Sequence, residues 1–362
     1  NYKDKDKNDE LLIAFGWGDG GGGPTREMLE QSRVMKNIPG IPKVEITSAE
    51  TYFEKIYQNT DHEKLGKWDG ELYFELHRGT YTSQAANKRY NRKSENLLHD
   101  IEAMTVMAWL DGRCEWPKEV LEKMWERVLL NQFHDILPGS SIRQVYEDTT
   151  EDYEKIAAKG GELLAAARTG MDSGIRVGTD SVVIYNMTGF ERSEYVQIPY
   201  GGEIDRNTVL EDETGKISVI HDEDGLRVYV EHIPAYGYKT LAIGNEAEQQ
   251  EMAESRIKIL ENGVETPYYR ITFNGNGEIE TLYDLENNRR VDCGRPMNVF
   301  AAYEDKPQRF DAWDVDVYYK EKPYAPFVLK SREVLQQKDR IVIRQSWSFD
   351  KSEISQDMVL YE

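Results

Sequence analysis

The hydrophobic period of this 362-residue chain changes twice along its length. From Leu11 to about Thr82, short apolar runs alternate with helical stretches. From Ser83 to about Arg168, apolar residues recur every three or four positions, and after Gly174 they recur every second position. Residues three and four apart share a helix face, whereas residues two apart share a strand face. No single layer satisfies both periods. The pattern therefore predicts a multidomain α+β protein in three successive parts: an α/β layer over 1–82, a three-helix bundle over 83–175 and an antiparallel β-sandwich over 176–362.

Within the first part, Leu11-Leu12-Ile13-Ala14-Phe15 reads as a buried strand and Lys43-Val44-Glu45-Ile46-Thr47 as a second. Pro24 suits the first turn of an intervening helix, where its missing N–H costs nothing, and Ser48 stands where a helix N-cap belongs. In the second part, Leu97, Leu98, Ile101, Met104 and Ala108 make one apolar face, and Pro117 opens a second helix. A third runs from about Ser141 to Arg168. In the third part, strands at 181–185, 195–198, 226–230 and 340–344 are separated by turn clusters such as Asp212-Glu213-Thr214-Gly215 and Asn274-Gly275-Asn276-Gly277. Trp313 and Tyr318 are expected in the sandwich core. Val359-Leu360, just before the last residues, reads as a strand left unfinished, so both ends look cut from something larger.

Composition excludes several functions. With 45 basic against 66 acidic residues the formal charge is −21, and nucleic-acid phosphates require a basic face. Anionic membranes are disfavoured for the same reason, and no apolar run approaches the roughly 18 residues that span a bilayer. Two cysteines, Cys114 and Cys293, form neither a disulfide framework nor a zinc knuckle. A reducing, cytoplasmic location is expected.

Three segments concentrate chemistry. Gly16-Trp17-Gly18-Asp19-Gly20-Gly21-Gly22-Gly23-Pro24-Thr25 lies between the first predicted strand and helix. Residues 16–21 satisfy G-x-G-x-x-G, with Glu45 downstream, so a dinucleotide site is one reading. Against it, Asp19 places a carboxylate where a pyrophosphate must approach. A flexible turn and a carboxylate displayed beyond a strand end are the others. Asn131-Gln132-Phe133-His134-Asp135-Ile136-Leu137-Pro138-Gly139-Ser140-Ser141 puts a histidine and a carboxylate at a helix end. They suit capping as well as chemistry, and are too few donors for zinc. His77-Arg78-Gly79-Thr80-Tyr81-Thr82-Ser83-Gln84, followed by Asn87-Lys88-Arg89, suits hydroxyl-rich ligands or a plain junction into a helix.

Taken in order, G-D-G-G-G-G-P-T at 18–25, H-R-G-T-Y-T-S-Q at 77–84 and N-Q-F-H-D-I-L-P-G-S-S at 131–141 resemble glycoside hydrolase family 38, the α-mannosidases, most closely its bacterial and cytosolic-type branch. V-V-I-Y-N at 182–186 and F-D-A-W-D at 310–314 look like the family's β-domain signatures. The resemblance implies the tail of an α/β catalytic domain, a helix bundle and β-sandwich domains. It also implies a retaining, Zn2+-dependent α-mannosidase acting on mannose-containing oligosaccharides or glycoconjugates, with a tendency to form homodimers. By the same resemblance His134 is a zinc ligand, Asp135 contacts the sugar, Asp19 is the general acid, and Arg78 and Tyr81 touch substrate. The family's H-x-D motif and its nucleophilic aspartate are expected before Asn1, which would leave this chain catalytically silent by itself. A non-catalytic carbohydrate-binding or scaffold protein is the alternative.

Overall fold

The computed structural model describes residues 6–18, 21–70, 72, 76–177, 180–221, 223–244, 255–337 and 339–361. The chain divides into two compact units, Asn1–Leu72 and Tyr73–Glu362.

The first unit holds two helices, α1 (Arg26–Met35) and α2 (Ala49–Asn59). Each starts at an oxygen-bearing N-cap. Thr25 accepts from the Met28 N–H at 3.2 Å and Ser48 from the Thr51 N–H at 3.1 Å, satisfying donors that a first turn leaves open. The expected strands at 11–15 and 43–47 do not form. Among the described residues of this unit, the one isolated bridge joins Trp17 to Gly22. A strand obtains its hydrogen bonds from its neighbours, and these two runs do not pair with each other. Leu11, Ile13 and Ile46 are accordingly exposed. The G-x-G-x-x-G reading loses the preceding strand it requires.

The second unit opens with three helices, α3 (Ala85–Leu110), α4 (Lys118–Asn131) and α5 (Arg143–Asp172). Leu98 and Ile101 of α3, Leu121, Met124 and Val128 of α4, and Tyr153 and Ile156 of α5 form one buried cluster. These positions repeat at three and four, so each helix turns one stripe inward. The bundle is as the period predicts.

The remainder is antiparallel sheet. Strands β1 (Ser181–Asn186), β2 (Arg192–Pro199), β3 (Val209–Asp212), β4 (Gly215–Ile217), β5 (Val219–His221), β6 (Gly225–Ile233) and β7 (Gly237–Gly244) form two sheets, ordered β1-β7-β3-β4 and β2-β6-β5. They enclose Ile184, Ile198, Leu210, Leu226, Val228 and Leu241. Strands β8 (Lys258–Leu260), β9 (Gly263–Glu265), β10 (Tyr269–Phe273), β11 (Ile279–Asp284) and β12 (Arg289–Arg290) make a third sheet. Strands β13 (Val328–Gln336), β14 (Arg340–Phe349) and β15 (Ser352–Tyr361) make a fourth. Val264, Ile271, Phe273, Ile279, Ile341 and Ile343 pack between these two. The segment read as one sandwich thus contains two sheet pairs with separate cores. The last strand, β15, pairs with β14 from Ser352 to Tyr361. Tyr318 is exposed rather than in a core.

A buried ion pair joins the two sheet pairs. Arg227 of β6 donates through Nε to Asp339 Oδ2 at 2.8 Å and through Nη2 to Oδ1 at 2.6 Å. Their side chains are 3% and 2% exposed. Beside them Tyr195 of β2 stacks on Tyr361 of β15, with ring centroids 5.3 Å apart.

Asp292 is expected to make the second sheet pair acid-sensitive. It accepts from the Arg290 guanidinium and from the Leu282 and Gly294 N–H groups. The Arg290 bond, first among these, holds its carboxyl down to about 2 from an ordinary 3.8. A carboxylate depressed on folding stabilises above its unfolded pKa, and that contribution drains away as pH falls toward the folded value. Stability is therefore expected to decline between pH 3.8 and about 2. Asp292→Asn should flatten that part of the stability-versus-pH curve; an unchanged slope in acid titrations followed by circular dichroism would reject the assignment.

Candidate functional site

Residues 77–84 contribute a 3-10 turn, Arg78–Tyr81, just ahead of α3. It is bracketed by two non-glycine residues with left-handed backbone, Leu76 at φ 66° and Gln84 at φ 52°. Such conformations cost about 1–3 kcal/mol each and persist where the surroundings over-determine them. Here the surroundings come from a segment some 230 residues later in sequence. The Gly79 N–H donates to the Trp313 carbonyl at 2.8 Å. Ser83 Oγ lies 2.9 Å from the Gly79 carbonyl and 3.0 Å from that of Ala312, and donates to one at a time. Gly79 is buried and tightly flanked: a Cβ would stand 3.1 Å from the Trp313 carbonyl carbon, so the neighbouring backbone would have to give by a few tenths of an ångström.

The turn between α4 and α5 carries His134 and Asp135. Ile136 and Leu137 N–H groups return to the Phe133 carbonyl at 2.8 and 3.0 Å. Ser141 Oγ donates to the Asp135 carbonyl at 2.6 Å, and the Ile136 carbonyl receives Asn87 Nδ2 at 3.3 Å and Tyr146 OH at 3.2 Å. Gln132 is tied back to α3, donating to Asn91 Oδ1 at 3.0 Å and Glu95 Oε1 at 2.8 Å. The backbone of the turn is thus held from within while its functional side chains stay outside. His134 and Asp135 are 74% and 52% exposed, with Nε2 3.3 Å from Oδ2.

Lys88 of α3 links the two segments. Its Nζ donates to the carbonyls of Ser83 at 2.6 Å, Leu137 at 2.8 Å and Pro138 at 3.2 Å, so each of its three protons has an acceptor. Burial pushes the Lys88 pKa below its ordinary value. Gly139 then rests directly on Ser83. At φ 99° it occupies backbone space that favours glycine, and a Cβ there would lie 2.5 Å from the Ser83 carbonyl oxygen.

The segments bearing Arg78 and Tyr81 are therefore adjacent to the turn bearing His134 and Asp135. Arg78 is half-buried and Tyr81 exposed on the 3-10 turn. Asp19 lies outside the described residues. Sequence reasoning passed over Lys88, Ser83, Gly139 and Trp313 as working parts. Lys88 and Ser83 sit inside quoted motifs, but only the tertiary contacts give them acceptors; Trp313 was placed in a core and instead sets its ring edge-on to His77, centroids 5.2 Å apart.

Zinc demands three or four nitrogen, oxygen or sulfur donors. Among the described residues no three His, Cys, Asp or Glu side chains converge. His134 and Asp135 offer at most two donors, so these residues do not fit a zinc ion by themselves.

A helix bundle joined to paired antiparallel sheets, with a His–Asp turn tied to the bundle, defines a multidomain α+β protein. The chain belongs to glycosyl hydrolase family 38. Residues 1–71 match the family's N-terminal domain, 75–171 the α-mannosidase middle domain and 264–362 the family 38 C-terminal domain. It is 31% identical over 323 residues to α-mannosidase 2C1 of Homo sapiens, covering 89% of this chain and 29% of that protein. It is 30% identical over 364 residues to α-mannosidase G of Dictyostelium discoideum, covering 89% of this chain and 32% of that one. An α-mannosidase from Enterococcus faecalis V583 shares the fold, with a TM-score of 0.59 at 14% identity, over 84% of this chain and 40% of that structure. The chain thus spans about a third of the length of the first two relatives. No helix among the described residues is long and apolar enough to cross a membrane.

Proposed function

We propose that this chain is part of a retaining, zinc-dependent α-mannosidase that removes terminal α-mannose from oligosaccharides or glycoconjugates. The observation that carries the proposal is the meeting of segments 77–84 and 131–141 through Lys88, which leaves His134 and Asp135 exposed on a turn whose Phe133, Asp135, Ile136 and Leu137 carbonyls all accept hydrogen bonds. An exposed carboxylate on such a turn accepts hydrogen bonds from sugar hydroxyls without first having to order the backbone, which is the advantage of a preorganised site. A ring nitrogen of His134 would supply one donor to such a zinc ion, and the remaining donors would have to come from outside the described residues. Retention needs two carboxyl groups about 5 Å apart, one ionised and one protonated; Asp19 is the acid assigned to protonate the leaving oxygen.

Residues 1–362 alone are accordingly expected to be silent toward an aryl α-mannoside, and the intact gene product containing them to cleave it with retained configuration. In that intact enzyme, Asp135→Asn should lower kcat/KM about 100-fold or more, as for other positioned groups that bind the transition state. His134→Ala should release zinc, measured by metal analysis after gel filtration. An intact enzyme that cleaves aryl β-glucosides but no α-mannoside, or an Asp135→Asn enzyme with parent kinetics, would reject the reading.

A further inference from the structure

Segment 310–314, Phe-Asp-Ala-Trp-Asp, lies between β12 and β13. Its geometry is unusual in three respects. Phe310 is a non-glycine residue at φ 56°, a conformation that persists where contacts enforce it. Its carbonyl accepts from both the Trp313 N–H at 2.8 Å and the Asp314 N–H at 2.9 Å, closing a tight turn. The two carbonyls that this turn projects, those of Ala312 and Trp313, take hydrogen bonds from Ser83 and Gly79, and the Trp313 ring meets His77 edge-on. Two successive residues of the sheet region, Ala312 and Trp313, therefore face the 3-10 turn, and the turn itself is flanked by Leu76 and Gln84 in left-handed conformations.

The contacts continue inward. Ser83, held on one side by Ala312, offers its carbonyl to Lys88 on the other, and Lys88 holds Leu137 and Pro138. Gly139 packs on Ser83 without room for a methyl group. An unbroken series of short polar contacts thus connects the 310–314 turn to the turn that carries His134 and Asp135.

We propose that Trp313 is a positioning residue for the mannoside site: through its ring on His77 and its carbonyl on Gly79, the sheet region sets the 77–84 turn and, through Ser83 and Lys88, the placement of His134 and Asp135. The ring has a role distinct from the carbonyl. The main-chain bond survives any side-chain change, whereas the edge-on contact with His77 is lost when the indole is removed and partly kept by a smaller aromatic ring. Where the sugar site is concerned, the proposal rests on the function proposed above; the coupling between the two turns does not.

Two measurements separate those layers. In the polypeptide of residues 1–362, hydrogen exchange of Trp313→Ala is expected to accelerate at Gly79 and at the 136–139 turn by about tenfold or more, with exchange in the core of α5 unchanged. Parent-like exchange at both turns would overturn the proposal, whatever the enzyme's substrate. In the intact gene product, Trp313→Ala is expected to raise KM for an aryl α-mannoside about tenfold with kcat altered less than threefold, and Trp313→Phe to recover most of the loss. An unchanged KM, or a loss that tracks the unfolding midpoint and is not rescued by Phe, overturns the positioning role. An intact parent enzyme that cleaves no α-mannoside rejects the function instead, and leaves hydrogen exchange to decide the coupling.

Discussion

Asp339→Ala is expected to destabilise the sheet region by about 3–5 kcal/mol, because removing one member of a buried pair takes away the carboxylate that balances a charge held inside the protein. Arg227 is 3% exposed, so water has little access to replace the lost carboxylate. The pair is bidentate at 2.8 and 2.6 Å, a geometry that fixes orientation as well as distance. The Arg227→Met, Asp339→Leu double variant is expected to recover much of the loss, since an apolar pair of similar volume removes the desolvation cost of both charges. Urea unfolding followed by circular dichroism reads the effect. A single variant within about 1 kcal/mol of the parent would show that this ion pair does not hold the two sheet pairs together.

Gly139→Ala should have the second large effect, and on function more than on stability. The methyl group meets the Ser83 carbonyl oxygen at 2.5 Å and its carbonyl carbon at 2.7 Å, well inside van der Waals contact, and φ 99° adds backbone strain. The strain itself is worth about 1–3 kcal/mol, which a chain of this size survives. The turn relieves it by moving away from Ser83, and His134 and Asp135 move with it. A displacement near 1 Å at a reacting group costs about 100-fold in rate. The intact enzyme with Gly139→Ala is therefore expected to fold, keep most of its stability and lose about 100-fold in kcat/KM. Parent-like kinetics would mean that the position of this turn does not matter to the site.

Periodicity carried the helical and sheet regions well. Leu98, Ile101 and Val128 are buried at the three- and four-residue spacing that predicts them, because a helix stripe is a local property of consecutive side chains. The strands predicted at 181–185, 195–198, 226–230 and 340–344 fall within β1, β2, β6 and β14. The runs at 11–15 and 43–47 carry the same local signal and form no strand, since their backbone groups find no pairing partner among the described residues. An apolar run states a preference, and a sheet exists only when another segment accepts its hydrogen bonds.

The same division holds for the site. His134 and Asp135 stand out in sequence as a histidine and a carboxylate beside a helix end, while Trp313 reads as one more sheet aromatic. Lys88 reads as a solvated charge, and nothing within five residues of Ser83 announces a partner at Ala312. Sequence by itself determined the helices of the bundle, the strand positions at 181–185, 195–198, 226–230 and 340–344 and where the reactive side chains lie along the chain, because those depend on spacing between near neighbours. Tertiary structure alone decided that 77–84, 131–141 and 310–314 meet, that Arg227 and Asp339 neutralise each other, and that one sandwich is two. Those outcomes depend on hydrogen bonds and close contacts between residues as many as 229 positions apart, whose partners no local pattern encodes.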